Sequence, residues 1–251
     1  MSSEEMEMIE ALIALHAGTD RQGPGDTALS RAVLDRLPPL PAGAKVADLG
    51  CGSGAASLLL ARQLKRPVLS VDLTAAFLEG LESRAAEQGL EGLITPLCAD
   101  MGAMDPAEYQ FGLIWSEGAA YNLSFEGALK AWRPLLEEEG IAVISEMSWF
   151  GAERPGEAAA FWSAAYPQMA EEAANLELAR TNGFKPLFTE RLSAQAWWDS
   201  YYTPLLENVA QYEASPSAAM QQVLAETRQE IELFRKYSDH YGYTFYVLLA
   251  G

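Results

Sequence analysis

The stretch Val46-Ala-Asp-Leu-Gly-Cys-Gly-Ser-Gly-Ala-Ala-Ser57 decides how this chain is read. A short run with the character of a buried strand passes straight into three alternating glycines, Gly50, Gly52 and Gly54, and then into the start of a helix. With no Cβ, glycine lets the backbone turn tightly at the strand's carboxyl end, lets a ligand lie against the chain and leaves the helix N–H groups pointing outward. In an open parallel sheet such a turn borders the crevice where ligands bind.

Outward from this turn the chain alternates strand and helix. Strands are expected at 45–49, 67–72, 93–98, 111–115 and 141–145, with helices at 54–65, 74–88 and 124–136 between them. This rhythm predicts an α/β fold, Rossmann-like, with a mostly parallel seven-stranded sheet and right-handed crossovers. Upstream, residues 3–16 and 27–37 read as amphipathic helices, the second capped by Asp26, with breakers at Gly23-Pro-Gly25 and Pro38-Pro-Leu-Pro41. Downstream, 156–181, 194–212 and 217–236 read as helical, and 183–192 and 241–250 as strands. The expected organisation is a single domain: a helical flank or lid at 1–37, a cofactor-binding core at 38–150, helical additions at 151–240 around strand 183–192, and a last strand at 241–251.

Composition narrows the function. The 251 residues carry 17 Lys+Arg against 35 Asp+Glu, a net charge of −18, and 49% are hydrophobic, which is globular and rich enough for a core without staples. That charge repels phosphate backbones, and no basic run relieves it, so nucleic acid is not an expected partner. No apolar stretch approaches the roughly 20 residues of a membrane-spanning helix. Two cysteines, Cys51 and Cys98, are too few for a disulfide framework or a zinc site, and no metal is expected. The acidic start, Met1 to Glu10, lacks the basic and apolar regions of a secretory signal, so a cytoplasmic location is expected. The expected partner is a small-molecule substrate, and nothing in the residues specifies an oligomeric state.

Two further acids sharpen the ligand. Asp72 ends the second strand about 20 residues beyond the glycines, where a carboxylate can accept both hydroxyls of a ribose. Asp100 ends the third strand, where it can receive an adenine amino group while Met101 covers the ring. Glycines with these acids point to an adenosine-containing ligand. The pattern Gly50-Cys-Gly-Ser-Gly-Ala55 also satisfies a looser dinucleotide fingerprint, so an NAD(P)-dependent oxidoreductase is the alternative, with Asp100 arguing against it.

At 45–147 the chain resembles the class I S-adenosylmethionine-dependent methyltransferases, with Asp48-Leu-Gly-Cys-Gly-Ser-Gly54 as the glycine-rich first motif, Asp72 as the ribose acid and Asp100-Met101 as the adenine pair. Further segments, Ile114 to Asn122, Ser145 to Phe150, Glu153-Arg-Pro155 and Lys236 to Tyr243, resemble a bacterial subgroup of small methyltransferases. The resemblance implies S-adenosyl-L-methionine as cofactor, held by Asp48, Gly50, Cys51, Gly52, Gly54, Asp72, Leu73, Asp100, Met101 and Ser116. Gly50 and Gly52 would lie against its methionine part and Asp48 near its ammonium group; separately, two glycines and a proline make 20–26 a mobile loop beside the helical lid, from which Arg21 is expected to reach the cofactor's carboxylate. The implied activity is methyl transfer to a small molecule, with a non-catalytic S-adenosylmethionine sensor as a third reading.

Positioning carries most of such a transfer, and a protonated nucleophile also needs a base. The candidates are Glu117 and Glu146 at the ends of the fourth and fifth strands, Tyr121 beside them, and His240 near the last strand. Aromatic residues crowd the same regions, among them Trp149, Trp197, Trp198, Tyr201 and Tyr202. An acidic, aromatic-lined pocket suits an amine, or an aromatic compound, as acceptor.

Overall fold

The computed structural model describes residues 3–251. Its centre is a sheet of eight strands: β1 (Val46–Leu49), β2 (Val68–Asp72), β3 (Ile94–Cys98), β4 (Phe111–Glu117), β5 (Leu136–Trp149), β6 (Ala170–Glu171), β7 (Phe184–Arg191) and β8 (Tyr241–Ala250). Seven of them form one path in the order β3-β2-β1-β4-β5-β8-β7, and the two-residue β6 pairs with the end of β5. The seven-stranded sheet expected from the sequence is present as that path, with one short strand added. All pairings are parallel except those of β8, which runs antiparallel to β5 and β7. The strand order reverses at β1, between β2 and β4, and this places the ligand crevice at the carboxyl ends of β1 and β4.

Helices cover both faces and the carboxyl edge. On one face α2 (Thr27–Asp35), α3 (Ala55–Leu64) and α4 (Ala75–Glu87) bury Val33, Leu60 and Leu81 against Val46, Val68 and Leu113. On the other, α5 (Phe125–Trp132) and α7 (Glu172–Thr181) bury Phe125, Trp132 and Ala179 against Ile114, Ile144 and Tyr246. A third cluster sits past the sheet's carboxyl edge. There α1 (Ser3–His16), α6 (Gly156–Ala165), α8 (Ala194–Trp197), α9 (Thr203–Gln211) and α10 (Ala218–Tyr237) pack on Met147, Trp149, Tyr241 and Tyr243. Caps fix several starts: Asp26 accepts from the Ala28 N–H at 2.7 Å, Ser124 from Gly127 at 3.1 Å and Ser217 from Met220 at 3.2 Å.

Three sequence expectations need correction. The single helical run at 156–181 is two helices split by β6, because Pro167 has no N–H to donate and holds the preceding Tyr166 in an extended backbone, φ −145°. The run at 194–212 contains a π-helical turn at Trp198–Tyr202 between α8 and α9. β5 is longer than the expected 141–145 and continues to Trp149, because β8 pairs with it residue by residue from Ile141↔Leu249 to Trp149↔Tyr241. Since β4 ends opposite Ser145, residues 146–149 of β5 project past it toward the crevice.

Candidate active site

The glycine turn is tied to its neighbour before any ligand arrives. The N–H groups of Gly50 and Cys51 both donate to the Val71 carbonyl, at 2.8 and 2.9 Å, so the end of β1 is locked to the end of β2. Gly50 has φ +74°, and a Cβ there would run into Ala119, so both the conformation and the space exclude a side chain. Asp72 completes the lock, one oxygen accepting the Gly52 N–H and the other the Thr74 N–H, both at 2.8 Å. Each oxygen keeps a further lone pair for a ligand. Beneath the turn Asp48 accepts the Ser57 hydroxyl at 2.6 Å, and Ser57 in turn accepts from Ser70 at 2.8 Å. Burial pushes the Asp48 carboxyl up to about 7 against the opposing hydrogen bond from Ser57.

A cavity of about 670 Å³ opens on this turn. Asp72, Leu73, Asp100 and Met101 form one wall, and Glu117, Gly118 and Tyr121 another. Leu73 is 69% exposed, which is unusual for a leucine at the lip of a cleft and leaves an apolar surface free to cover a flat ring. Asp100 folds back on its own loop, accepting the Gly102 N–H at 2.8 Å, with its side chain at the rim.

The loop between α1 and α2 crosses the cavity as a strap. Arg21 Nη1 lies 2.7 Å from Glu117 Oε2, a pair whose side chains are only 10% and 6% exposed. Glu117 Oε1 also accepts from the Ser30 hydroxyl at 2.6 Å and the Trp115 indole at 2.8 Å, so this acid is clamped by three donors. Gln22 caps the glycine turn: its Oε1 accepts the Ser53 N–H at 2.9 Å, and a Cβ on Gly52 would collide with it.

Behind Tyr121 the surroundings change. Glu146, on the part of β5 that outruns β4, is 1% exposed, and neither carboxyl oxygen has a hydrogen-bond partner. Burial pushes it up to about 8, partly opposed by the nearby Tyr166 hydroxyl, which has no well-formed hydrogen bond itself, and by the Met147 N–H. Tyr121 stands edge-on to Tyr166, ring centroids 6.2 Å apart, and Tyr243 lies against Gly118.

The structure brings eleven of the residues singled out in the sequence onto the cavity wall: Arg21, Asp48, Gly50, Cys51, Gly52, Asp72, Leu73, Asp100, Met101, Glu117 and Tyr121. Gly54 and Ser116 are not on it. Gly54 faces Leu81 and brings α3 close to α4, and Ser116 is buried with its hydroxyl donating to the Leu49 carbonyl at 2.7 Å, tying β4 to β1. Glu146 lies behind the wall, and His240 is away from it, edge-on to Tyr237. Sequence reasoning passed over Gln22, Tyr166, Glu230 and His16. His16 donates from Nδ1 to the Leu12 carbonyl at 2.8 Å, leaving Nε2 to accept the Tyr201 hydroxyl at 3.1 Å, and burial lowers its pKa so that it stays neutral. Glu230 accepts the Tyr202 hydroxyl at 2.8 Å, through the π turn that no spacing in the sequence announces.

Residues 46–140 match the family described as methyltransferase domain. A dimethylglycine N-methyltransferase from Parasynechococcus marenigrum is 38% identical over 88 residues, covering 35% of this chain and 31% of that protein. The match therefore spans about a third of the length of the curated relative. Among solved structures, an S-adenosylmethionine-dependent methyltransferase from Geobacter sulfurreducens, in complex with S-adenosyl-L-homocysteine, aligns with TM-score 0.79 at 20% identity, over 96% of this chain and 98% of its own. One from Thiobacillus denitrificans, with the same ligand, aligns with TM-score 0.78 at 23% identity, over 95% and 97%. Residues 46–140 are thus similar to a methyltransferase domain, and the chain as a whole has the fold of the S-adenosylmethionine-dependent methyltransferases.

Proposed function

We propose that the protein transfers a methyl group from S-adenosylmethionine to a small-molecule acceptor. The observation that carries this reading is the cavity at the switch point, where a glycine turn, two strand-ending acids and an uncovered leucine share one wall. The residues fit the cofactor. Asp72 has lone pairs to spare for ribose hydroxyls, and Asp100 with Leu73 and Met101 suits an adenine. The backbone of Gly50, Cys51 and Gly52 lines the cavity and suits the methionine part. The Arg21–Glu117 pair offers one positive and one negative group side by side, the complement of an amino acid's carboxylate and ammonium. Asp48 and Cys51 support the floor of this end.

When bound, S-adenosylmethionine supplies an electrophilic methyl group, so the protein's work is to hold a nucleophile in line and to manage its proton. Glu117 is spent on three donors and acts as a clamp rather than a base. Tyr121 lines the cavity, is 46% exposed and is placed to steer an acceptor. The chain works as one domain in which α1 and the 151–240 helices enclose the acceptor side, and its two free thiols suit the cytosol.

The test is incubation with S-adenosylmethionine and a panel of small amines and phenols, read by mass spectrometry. A product heavier by one methylene, with an equal amount of S-adenosylhomocysteine, is expected. Slow cofactor breakdown with no methylated product from any small molecule would overturn the acceptor class.

A further inference from the structure

Among the described residues, every buried side-chain polar atom without a hydrogen-bond partner lies in one region, around the carboxyl end of β5. These atoms are both oxygens of Glu146, the hydroxyls of Tyr166 and Tyr241, and the indole N–H groups of Trp162 and Trp197. Buried polar groups are nearly always paired, and an unpaired carboxyl is the costliest kind to leave. The other buried polar residues along this part of β5 are satisfied, Ser145 accepting the Gly118 N–H and Ser148 bonded to Tyr246, and Glu146 between them is not.

The groups facing Glu146 are tyrosines: Tyr166 follows α6, Tyr121 lies on the short turn after β4, and Tyr243 and Tyr246 are on β8. Burial first, and then Tyr121, Glu146, Tyr201 and Glu230, push the Tyr243 phenol well above the ordinary range. No lysine or arginine forms an ion pair with Glu146 or Glu230 among the described residues. An anionic ligand would meet the Glu146 carboxyl and no cation. A neutral ligand could hydrogen-bond the carboxyl but would not balance its charge. A cation would pair the carboxyl and lie against tyrosine rings.

We infer that the methyl acceptor is a small amine that enters behind Tyr121 as its ammonium ion and meets Glu146. The inference rests on the methyltransferase reading above and adds the acceptor's charge class and the residue that selects it. In the bound pair one proton is shared between nitrogen and carboxyl. When it passes from the ammonium nitrogen to a Glu146 oxygen, the products are a neutral amine with its lone pair free and a neutral carboxylic acid. The raised affinity of the buried carboxyl for protons brings it toward an amine's own range and keeps this transfer near balance.

The experiment is calorimetric titration of the protein, first with S-adenosylhomocysteine and then, on that complex, with butylamine, benzylamine and phenethylamine beside the alcohols and carboxylates of the same skeletons. At least one amine is expected to bind ten times more tightly than its alcohol and carboxylate, with a proton released on binding near pH 7, seen by repeating the titration in phosphate and Tris. Glu146→Gln should abolish that preference and the proton release while leaving S-adenosylhomocysteine affinity unchanged. Alcohols binding as well as amines, no amine binding, or a preference that survives in Glu146→Gln would each overturn the inference. The wild-type contrast stands even if the variant folds poorly. Failure of S-adenosylhomocysteine itself to bind would overturn the methyltransferase reading together with this one.

Discussion

Around the glycine turn the chain has given every acid a partner: Asp72 takes the N–H groups of Gly52 and Thr74, Asp48 takes Ser57, and Glu117 takes Arg21, Ser30 and Trp115. Behind Tyr121, Glu146 makes no well-formed hydrogen bond, with only the Tyr166 hydroxyl and the Met147 N–H near it, and two tyrosines and two tryptophans in the same region also keep unmet polar atoms. One half of the site is therefore built and braced before a ligand arrives, which lowers the ordering that binding must impose. The other half holds groups that a ligand of the right charge would satisfy, at a standing cost to the free protein.

The largest expected effect comes from breaking the braced half at its tightest point. Gly50→Val puts a branched side chain at φ +74° and into Ala119, and it should remove detectable S-adenosylmethionine binding by calorimetry. Arg21→Ala leaves Glu117 as a buried carboxylate short of its counter-charge. It should destabilise the fold by about 3 kcal/mol in chemical denaturation, with Arg21→Ala/Glu117→Gln recovering part of the loss.

The unsatisfied half should show itself in pH dependence. Glu146 titrates at about 8 in the folded protein against about 4.3 for a free glutamate, so between these values the folded state binds the extra proton. The stabilisation of its neutral form is complete below the unfolded value and is lost as pH rises through 8. Glu146→Gln should therefore raise the Tm by a few degrees relative to wild type at pH 8.5, with the difference shrinking to the cost of the substitution itself near pH 5. A difference independent of pH would mean that Glu146 already has a partner. The smallest effect belongs to Leu73→Ala: because Leu73 is 69% exposed, stability should change by less than about 0.5 kcal/mol while cofactor affinity falls several-fold.

The same contrast governs what the sequence could disclose. The turn, Asp72 and Asp100 are legible because each is set by its own strand end, so order along the chain is enough to place them. Gly54 and Ser116 sit inside the same motifs yet serve packing against Leu81 and the tie to Leu49, a distinction made by side-chain direction and not by spacing. Glu146 was legible as a strand-end acid but not as an isolated one, because its isolation depends on β5 outrunning β4 and on β8 pairing along its whole far end. Glu230 and His16 were illegible for a further reason. They reach the aromatic region from opposite ends of the chain, through α1 packing on α9 and α10 and through a π turn that swings Tyr201 and Tyr202 inward.

The most direct test of the central claim is calorimetric titration of the wild-type protein with S-adenosylmethionine and, separately, with NAD, each repeated on Asp72→Ala. The account predicts saturable binding of S-adenosylmethionine, no binding of NAD, and at least a tenfold loss of affinity in the variant, as befits two charge-assisted hydrogen bonds to a ribose. Binding of NAD alone, or of neither ligand, would contradict it.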